Sequence, residues 1–424
     1  MHTSSYPRTV RTLFRIAVLS LVLFAGSFPV FTGQPARAAG MGASPTGGSD
    51  DKENTLDRLP QKNESPASRV QAHIEPTYKI QVGLNSEIYP VFANQASLQK
   101  REERTWGTVS VTVTNSTDAP LHNRVTVEVP GWSDQEIQIV NMAAGESRTL
   151  LFAPTFWPRL YQNRELAAGT VAVNVSDNTG HTVFSETTPV RLRAVGDMYW
   201  GESFKFAPYI ASWITPHDAH VEMVLSRAKE FAPLRRLPGY EEWKDTTSQE
   251  KSTVVQARAI YRAIQDLGVS YVKSSITFGG NKSVSERIRM PNESLRDRSA
   301  NCIDGVVLYA SVFENLGMDP AVVLVPGHAY LGVRTARNSD RYLYLDTALT
   351  GRADFDSAVA AADHGMARTP EGQISMIRID EARRAGIFPM PESPYSDSTS
   401  ADTAAAVRTH KLAGRKDTKS LPPQ

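Results

Sequence analysis

The chain has 424 residues, 41% hydrophobic and 21% charged, with a formal net charge of +1. That length holds two ordinary domains plus flanking segments, and the hydrophobic fraction suffices for buried cores. A near-neutral balance with no long block of like charge leaves no electrostatic footprint for nucleic acid or an acidic surface as partner.

In chain order, the first feature is a leader. Arg8, Arg11 and Arg15 precede an apolar run from Ile16 to Phe24 that continues past Gly26 to Phe31, and Ala36-Arg37-Ala38 places small residues where a signal peptidase reads. This three-part layout predicts a secretory signal peptide over residues 1–39, cleaved near Ala38–Ala39. Gly26 and Pro29 interrupt the apolar stretch short of a comfortable span, so no stable membrane span is expected after cleavage. No cysteine sits near the cleavage site, which excludes lipid modification there. Residues 40–75 and 393–424 are rich in Gly, Ser, Pro and charged types. They lack the apolar surface to offset ordering entropy and read as a disordered linker and tail.

Residues 76–197 carry period-two patterning. Val109, Val111 and Val113 alternate with polar residues, as do Val125, Val127 and Val129, then Ile137 and Ile139, then Val171, Val173 and Val175. Turn clusters at residues 115–118, 144–146 and 177–180 separate them. The pattern predicts an all-β sandwich of immunoglobulin-like or fibronectin-like type, without helices. It carries no catalytic cluster, so a spacer or binding module is expected, with a surface for a partner in the cell envelope.

Residues 198–392 switch to helical spacing. Thr215-Pro216 reads as a helix start before the stripe Val221, Val224, Leu225 and Ala228. Thr247 and Glu250 read as a capping box before Val254, Ala257, Ile260, Ile264 and Leu267, closed by Gly268. Residues 270–278 fit either a strand or an extended loop, and residues 281–295 read as a surface loop ending in a short turn. A helix then opens at Cys302, with Ile303, Val306, Val307, Ala310, Phe313 and Leu316 at helical spacing and Gly317 as its stop. Three strand candidates follow, at residues 321–325, 328–335 and 341–346. A helix followed by an antiparallel sheet predicts an α+β domain.

Cys302 is the chain's single cysteine. In an exported protein it cannot form an internal disulfide, so it is buried and inert, dimer-forming or reactive. At a helix start, unpaired N–H groups and the macrodipole favour its thiolate. Asp304, one turn in, reads as dipole compensation, and His364 as a solvated loop residue. If residues 341–346 fold back on 328–333 about a turn near Arg337–Asn338, His328 and Asp346 face each other. Opposed Cβ atoms then lie about 5 Å apart, within reach of an imidazole–carboxylate hydrogen bond. Nucleophile, base and orienting carboxylate is the set thiol acyl transfer needs. No HExxH, cysteine pair, Walker loop, dinucleotide fingerprint or G-x-S-x-G elbow competes, so neither metal nor cofactor is implied.

The wording NCIDGVVLYASVFENLGMDP, then VPGHAYLGV, then YLYLD resembles the transglutaminase-like superfamily, most strongly over residues 257–349, and within it a bacterial branch of undefined biochemical role. The resemblance implies a papain-like fold in which Cys302 is the nucleophile, His328 the general base and acid, and Asp346 the orienting residue. It also implies an oxyanion donor beside the Cys N–H, for which Tyr271, Asn292 and Asn301 are the candidates. The expected activity is attack on a peptide or protein amide through a thioester, with hydrolysis favoured over cross-linking because water is the default acceptor. The expected location is periplasmic or secreted. The alternative is a catalytically silent adaptor whose groove binds an extended peptide.

Overall fold

The computed structural model describes residues 68–74, 77–273 and 285–391. The leader, residues 40–67 and 75 of the linker, residue 76, residues 274–284 and the tail lie outside the described residues, and so do the expectations placed on them. Ser68–Ile74, expected in the disordered linker, is instead a strand paired with Tyr78–Asn85.

Alternation of apolar and polar residues builds the first half. Strands β1 (Ser68–Ile74), β2 (Tyr78–Asn85), β4 (Val109–Asn115) and β7 (Ser147–Phe152) form one antiparallel sheet in the order β1-β2-β4-β7. A second sheet runs β3-β9-β8-β5-β6, from β3 (Glu87–Ile88), β5 (Leu121–Glu128), β6 (Glu136–Met142), β8 (Ala167–Ser176) and β9 (Thr182–Leu192). Val109, Val111 and Val113 from one sheet and Val125, Val127, Val171, Val173 and Val175 from the other share one apolar core. The short β3 pairs with β9 in parallel; the other pairings are antiparallel.

Two expectations for this half need correction. Helix α1 (Pro90–Leu98) interrupts the strands, opened by Pro90 and buried through Val91, Ala93 and Ala96, and a single-turn helix α2 (Pro158–Tyr161) follows β7. In β6, Ile139 is 65% exposed, whereas Val140 and Met142 enter the core. Both faces of that strand carry apolar residues, so periodicity alone does not choose between them; packing selects the face of Val140 and Met142.

The second half is mixed α and β. A helix α3 (Ala219–Ala228) and a longer α4 (Thr246–Asp266) come first. Their stripes are buried as spaced, but both start elsewhere than expected. Asp218 caps α3 by accepting from His220 N–H, and Asp245 caps α4 by accepting from Ser248 N–H. A carboxylate is a stronger acceptor than a threonine hydroxyl and wins the cap. Glu250 is instead paired with Arg341 at 3.1 Å. Gly268 and Gly317 both adopt positive φ at the helix ends, as their positions require.

Residues 285–295 are not a surface loop. Ser285–Arg287 (β12) pairs with Asp197–Tyr199 (β10), and helix α5 (Pro291–Arg296) buries Pro291, Glu293, Ser294 and Leu295. Two-residue strands Ser270–Tyr271 (β11) and Ser299–Ala300 (β13) pair in parallel and lead to α6 (Cys302–Asn315). The second half's main sheet is β16-β15-β14-β17, from β14 (Pro320–Val325), β15 (His328–Arg334), β16 (Tyr342–Leu345) and β17 (Ser375–Arg378). α6 packs on one face through Ile303, Val306, Val307, Ala310 and Phe313, all fully buried. α7 (Phe355–Arg368) covers Val323, Val325 and Tyr330 through Ala362, so His364 lies on a helix, exposed, rather than in a loop. Tyr89 and Val91 of the first half join the second core, which ties the two layers together. Among the described residues no helix is long and apolar enough to cross a membrane.

Candidate active site

The site begins with the start of α6. Asn301 Oδ1 accepts from Asp304 N–H at 2.8 Å, and Asp304 Oδ2 accepts from Asn301 N–H at 3.1 Å. This reciprocal cap takes two of the four N–H groups that a helix start leaves unpaired and does not use those of Cys302 and Ile303. Asp304 also accepts from Arg289 N–H at 2.8 Å and from Arg289 Nη1 at 2.9 Å. At 1% exposure it does more than compensate the dipole: it bolts the strand-to-helix turn before Cys302 to the segment following β12. Burial pushes its carboxyl up, against the pull of those three donors and of the Arg289 charge. Cys302 is 8% exposed, a free thiol at the head of a dipole whose positive end favours an anion.

His328 opens β15 and Asp346 follows β16. The hairpin register differs by two residues from the expected one: Leu331 faces Leu345 and Val333 faces Leu343. Extended to the strand ends, that register puts His328 diagonal to Asp346. The two still meet, because the chain leaves the sheet after Leu345 and turns through Thr347–Leu349. His328 Nε2 lies 3.1 Å from Asp346 Oδ1, which also accepts from Ala348 N–H at 3.1 Å. Cys302 lies close enough to raise the His328 imidazole, and with Nε2 committed to Asp346, Nδ1 is the nitrogen left to face the thiol. Burial by itself pushes the imidazole down. The hydrogen bonds and negative charges of Asp346 and Cys302 outweigh it and hold the ring up at about 9. Tyr330 packs edge-on against the imidazole, with ring centroids 4.7 Å apart.

A second clamp sets the spacing between Cys302 and Asp346. Thr347 Oγ1 donates to the Cys302 carbonyl at 3.2 Å. Gly305, one turn into α6, lets Thr347 approach, since a Cβ there would meet Thr347 Oγ1 at 2.6 Å. Helix and carboxylate loop are thereby fixed to each other directly.

The three oxyanion candidates separate. Asn301 is 5% exposed, and its amide is held in the helix cap with Oδ1 on Asp304 N–H, which keeps it from facing a bound molecule. Asn292 lies on α5 in a small cavity with Tyr161, Thr215 and Pro391, lined by none of the three triad residues. Tyr271 stays in contention. β11 pairs it with Ala300, two residues before Cys302. Burial, then the charges of Cys302 and Asp346, raise its phenol, with Arg352 opposing, so the hydroxyl is kept as a donor. At 43% exposure it is open to a bound molecule.

At the turn between β14 and β15, a half-open groove of about 440 Å³ is lined by Phe204, Leu324, Val325, Pro326, Gly327 and Ile374, and by none of the three triad residues. Arg289, Gly305 and Thr347 were missed by sequence reasoning. Only Gly305 left a signal there, as a lone glycine inside a helical pattern, which marks a close approach. Among the described residues no group of three or more His, Cys, Asp or Glu is placed to hold a metal ion.

No protein-family model matches the chain, and no curated protein matches it. Among solved structures, it is similar to the exo-chitosanase of Amycolatopsis orientalis at 11% identity, over 58% of this chain and 30% of that one, with a TM-score of 0.18. A complex of that exo-chitosanase with PNP-beta-D-glucosamine matches at 10% identity over the same shares, also with a TM-score of 0.18. The chain thus spans under a third of those structures, and a superposition that loose identifies no shared fold or activity.

Proposed function

We propose that this chain is an exported thiol enzyme of transglutaminase-like type that attacks a peptide or protein amide and releases the acyl group to water. The observation that carries the reading is the meeting of Cys302, His328 and Asp346, drawn from a helix start, a strand start and the turn after the last strand of a hairpin. α6 packed on a four-stranded antiparallel sheet supports the transglutaminase-like fold, and the two-sheet first half supports an immunoglobulin-like or fibronectin-like sandwich. Export, to a periplasm or the medium, rests on the arginine-led apolar leader and its Ala-Arg-Ala cleavage site. In this reading the sandwich is the side that meets an envelope partner.

The chemistry follows from the protonation state. An imidazolium held to about pH 9 beside a thiol at a helix N-terminus favours the thiolate–imidazolium pair. The sulfur attacks the amide carbonyl carbon, forming a C–S bond and a tetrahedral oxyanion. The free Cys302 N–H and the Tyr271 hydroxyl are the groups available to donate to that oxygen. The C–N bond breaks as His328 Nδ1–H protonates the leaving amine. Neutral His328 then takes a proton from water, the hydroxide attacks the thioester, and the thiolate leaves. Asp346 acts through His328, fixing its tautomer and stabilising its charge.

The test is the alkylation of the mature protein by iodoacetamide across pH. Fast alkylation of Cys302 in the folded protein, lost in His328→Ala, is the expected result. A thiol that reacts only on unfolding sinks the catalytic reading and leaves a peptide-binding adaptor.

A further inference from the structure

A second cavity, of about 470 Å³, is lined by six aromatic rings: Tyr89, Phe92, Trp106, Tyr199, Phe206 and Tyr209. It contains none of the triad residues. The walls come from both halves, since Tyr89 and Phe92 belong to the start of α1, Trp106 precedes β4, and Tyr199 to Tyr209 follow β9. The rings brace one another at 5.1 to 6.5 Å between centroids, mostly tilted or edge-on, so the box is preformed. Its volume is that of small-ligand pockets, which run from about 300 to 1,000 Å³.

The polar groups at this cavity narrow the ligand. Among the described residues, the side chains of Asn85, Trp106, Thr108 and Tyr209 line it and make no hydrogen bond to protein. Burial raises the Tyr209 phenol, keeping it a neutral donor and acceptor. The set therefore combines donors with acceptors: an indole N–H, two hydroxyls and an amide. A hydroxyl-bearing ligand can answer both kinds; an oligoproline, whose carbonyls only accept, leaves the acceptors unmet. Charge narrows it further. Glu87 is spent on Arg191, Arg193 and the Tyr89 hydroxyl. Arg193 already sits over the Tyr89 ring at 5.4 Å and the Lys205 ammonium over Phe206 at 4.8 Å. Two of the six ring faces that would attract a cationic ligand are thus served from within, and Lys205 at the cavity repels one.

We propose that this aromatic cavity is a saccharide-binding site for uncharged or anionic sugar residues. In it, apolar C–H faces of a sugar ring stack on the aromatic walls, and Asn85, Trp106, Thr108 and Tyr209 bond its hydroxyls. An enzyme anchored in this way would be held on a glycan while a separate site works on its substrate.

The experiment uses the mature full chain and follows tryptophan fluorescence and calorimetry on adding cellohexaose (neutral), hexagalacturonate (anionic), a glucosamine hexamer (cationic) and decaproline. Saturable binding of cellohexaose or hexagalacturonate is expected, weakened at least tenfold in Trp106→Ala and several-fold in Tyr209→Phe. Unchanged melting and unchanged Cys302 alkylation in both variants exclude misfolding, and Tyr209→Phe keeps the test open if Trp106→Ala does not fold. No saturable binding of either sugar, binding that survives both variants, or preference for the glucosamine hexamer or decaproline overturns the proposal. None of these outcomes bears on the triad, which the alkylation test addresses separately.

Discussion

Replacing Asp346 by Asn removes one charge from the site while its geometry can persist. Asp346 Oδ1 accepts from both His328 Nε2 and Ala348 N–H, and an amide oxygen can keep both bonds. Burial alone drives the imidazole toward its neutral form; Asp346 and Cys302 reverse that and hold it up at about 9, against an ordinary 6.5. At ~1.4 kcal/mol per pH unit, that interval is roughly 3 kcal/mol of preference for imidazolium. The folded state binds this proton more tightly than the unfolded chain. The stabilisation is therefore complete below about 6.5 and is lost as pH rises through about 9. Asp346 supplies the largest share of the upward pull, so in Asp346→Asn the imidazole should titrate at least one pH unit lower. The variant should be less stable by about 1–2 kcal/mol near pH 6, with the gap closing at alkaline pH. An NMR titration of the histidine Cε1 resonances, with His328 assigned by its loss in His328→Gln, measures the first quantity. Urea unfolding at pH 6 and pH 9.5 measures the second. A wild-type His328 that titrates at or below 6.5, or one that Asp346→Asn leaves unmoved, refutes the coupling.

Three further outcomes are expected. Gly305→Val should force Thr347 away, because the new Cβ would stand 2.6 Å from Thr347 Oγ1 and 3.0 Å from its Cβ. Overpacking of that kind costs about 1–3 kcal/mol, visible in urea, and Cys302 alkylation should slow with it; a normal rate would show that the clamp does not set the site. Tyr271→Phe should lower acylation by an activated ester on the order of a hundredfold while leaving iodoacetamide alkylation, which develops no oxyanion, unchanged. Equal effects on both reactions would remove Tyr271 from the oxyanion role. Glu286 is 3% exposed, and burial pushes its carboxyl up to about 7 although Trp200 Nε1 donates to it at 3.1 Å. Its contribution is thus present below about 4.5 and lost as pH rises through about 7. Glu286→Gln should flatten stability over that window and gain up to roughly 3 kcal/mol on wild type above it; identical pH profiles would refute a buried titrating carboxyl.

Much of the architecture was local and therefore readable from sequence. Val109 to Val113 and Val171 to Val175 bury the alternating face their spacing selects, because a pleat has only two sides. α6 begins at Cys302 because Asn301 and Asp304 supply both halves of a capping box within four residues, and Gly317 ends it. What failed were choices between near-equal local options. Periodicity could not tell Ile139 from Val140, and Asp218 and Asp245 outbid the threonines that follow or precede them. The hairpin offset was likewise undetermined, since two registers differing by two residues bury the same face.

Sequence alone determined which chemistry was on offer: one thiol, placed at a helix start, followed in order by a histidine and an aspartate in strand-like segments. Only tertiary structure decided that they meet. His328 and Asp346 come together not as opposed strand residues but because the chain leaves the sheet after Leu345, a turn that Thr347 fixes against the backbone of Cys302 across the space Gly305 leaves open. The aromatic cavity likewise has no local signature. Its rings come from three stretches over a hundred residues of chain, each unremarkable in sequence, and they face one another only once both layers pack along their shared core. Local patterning sets the conformation of each segment through short-range sterics and capping; which side chains converge depends on long-range burial, which no window of sequence contains.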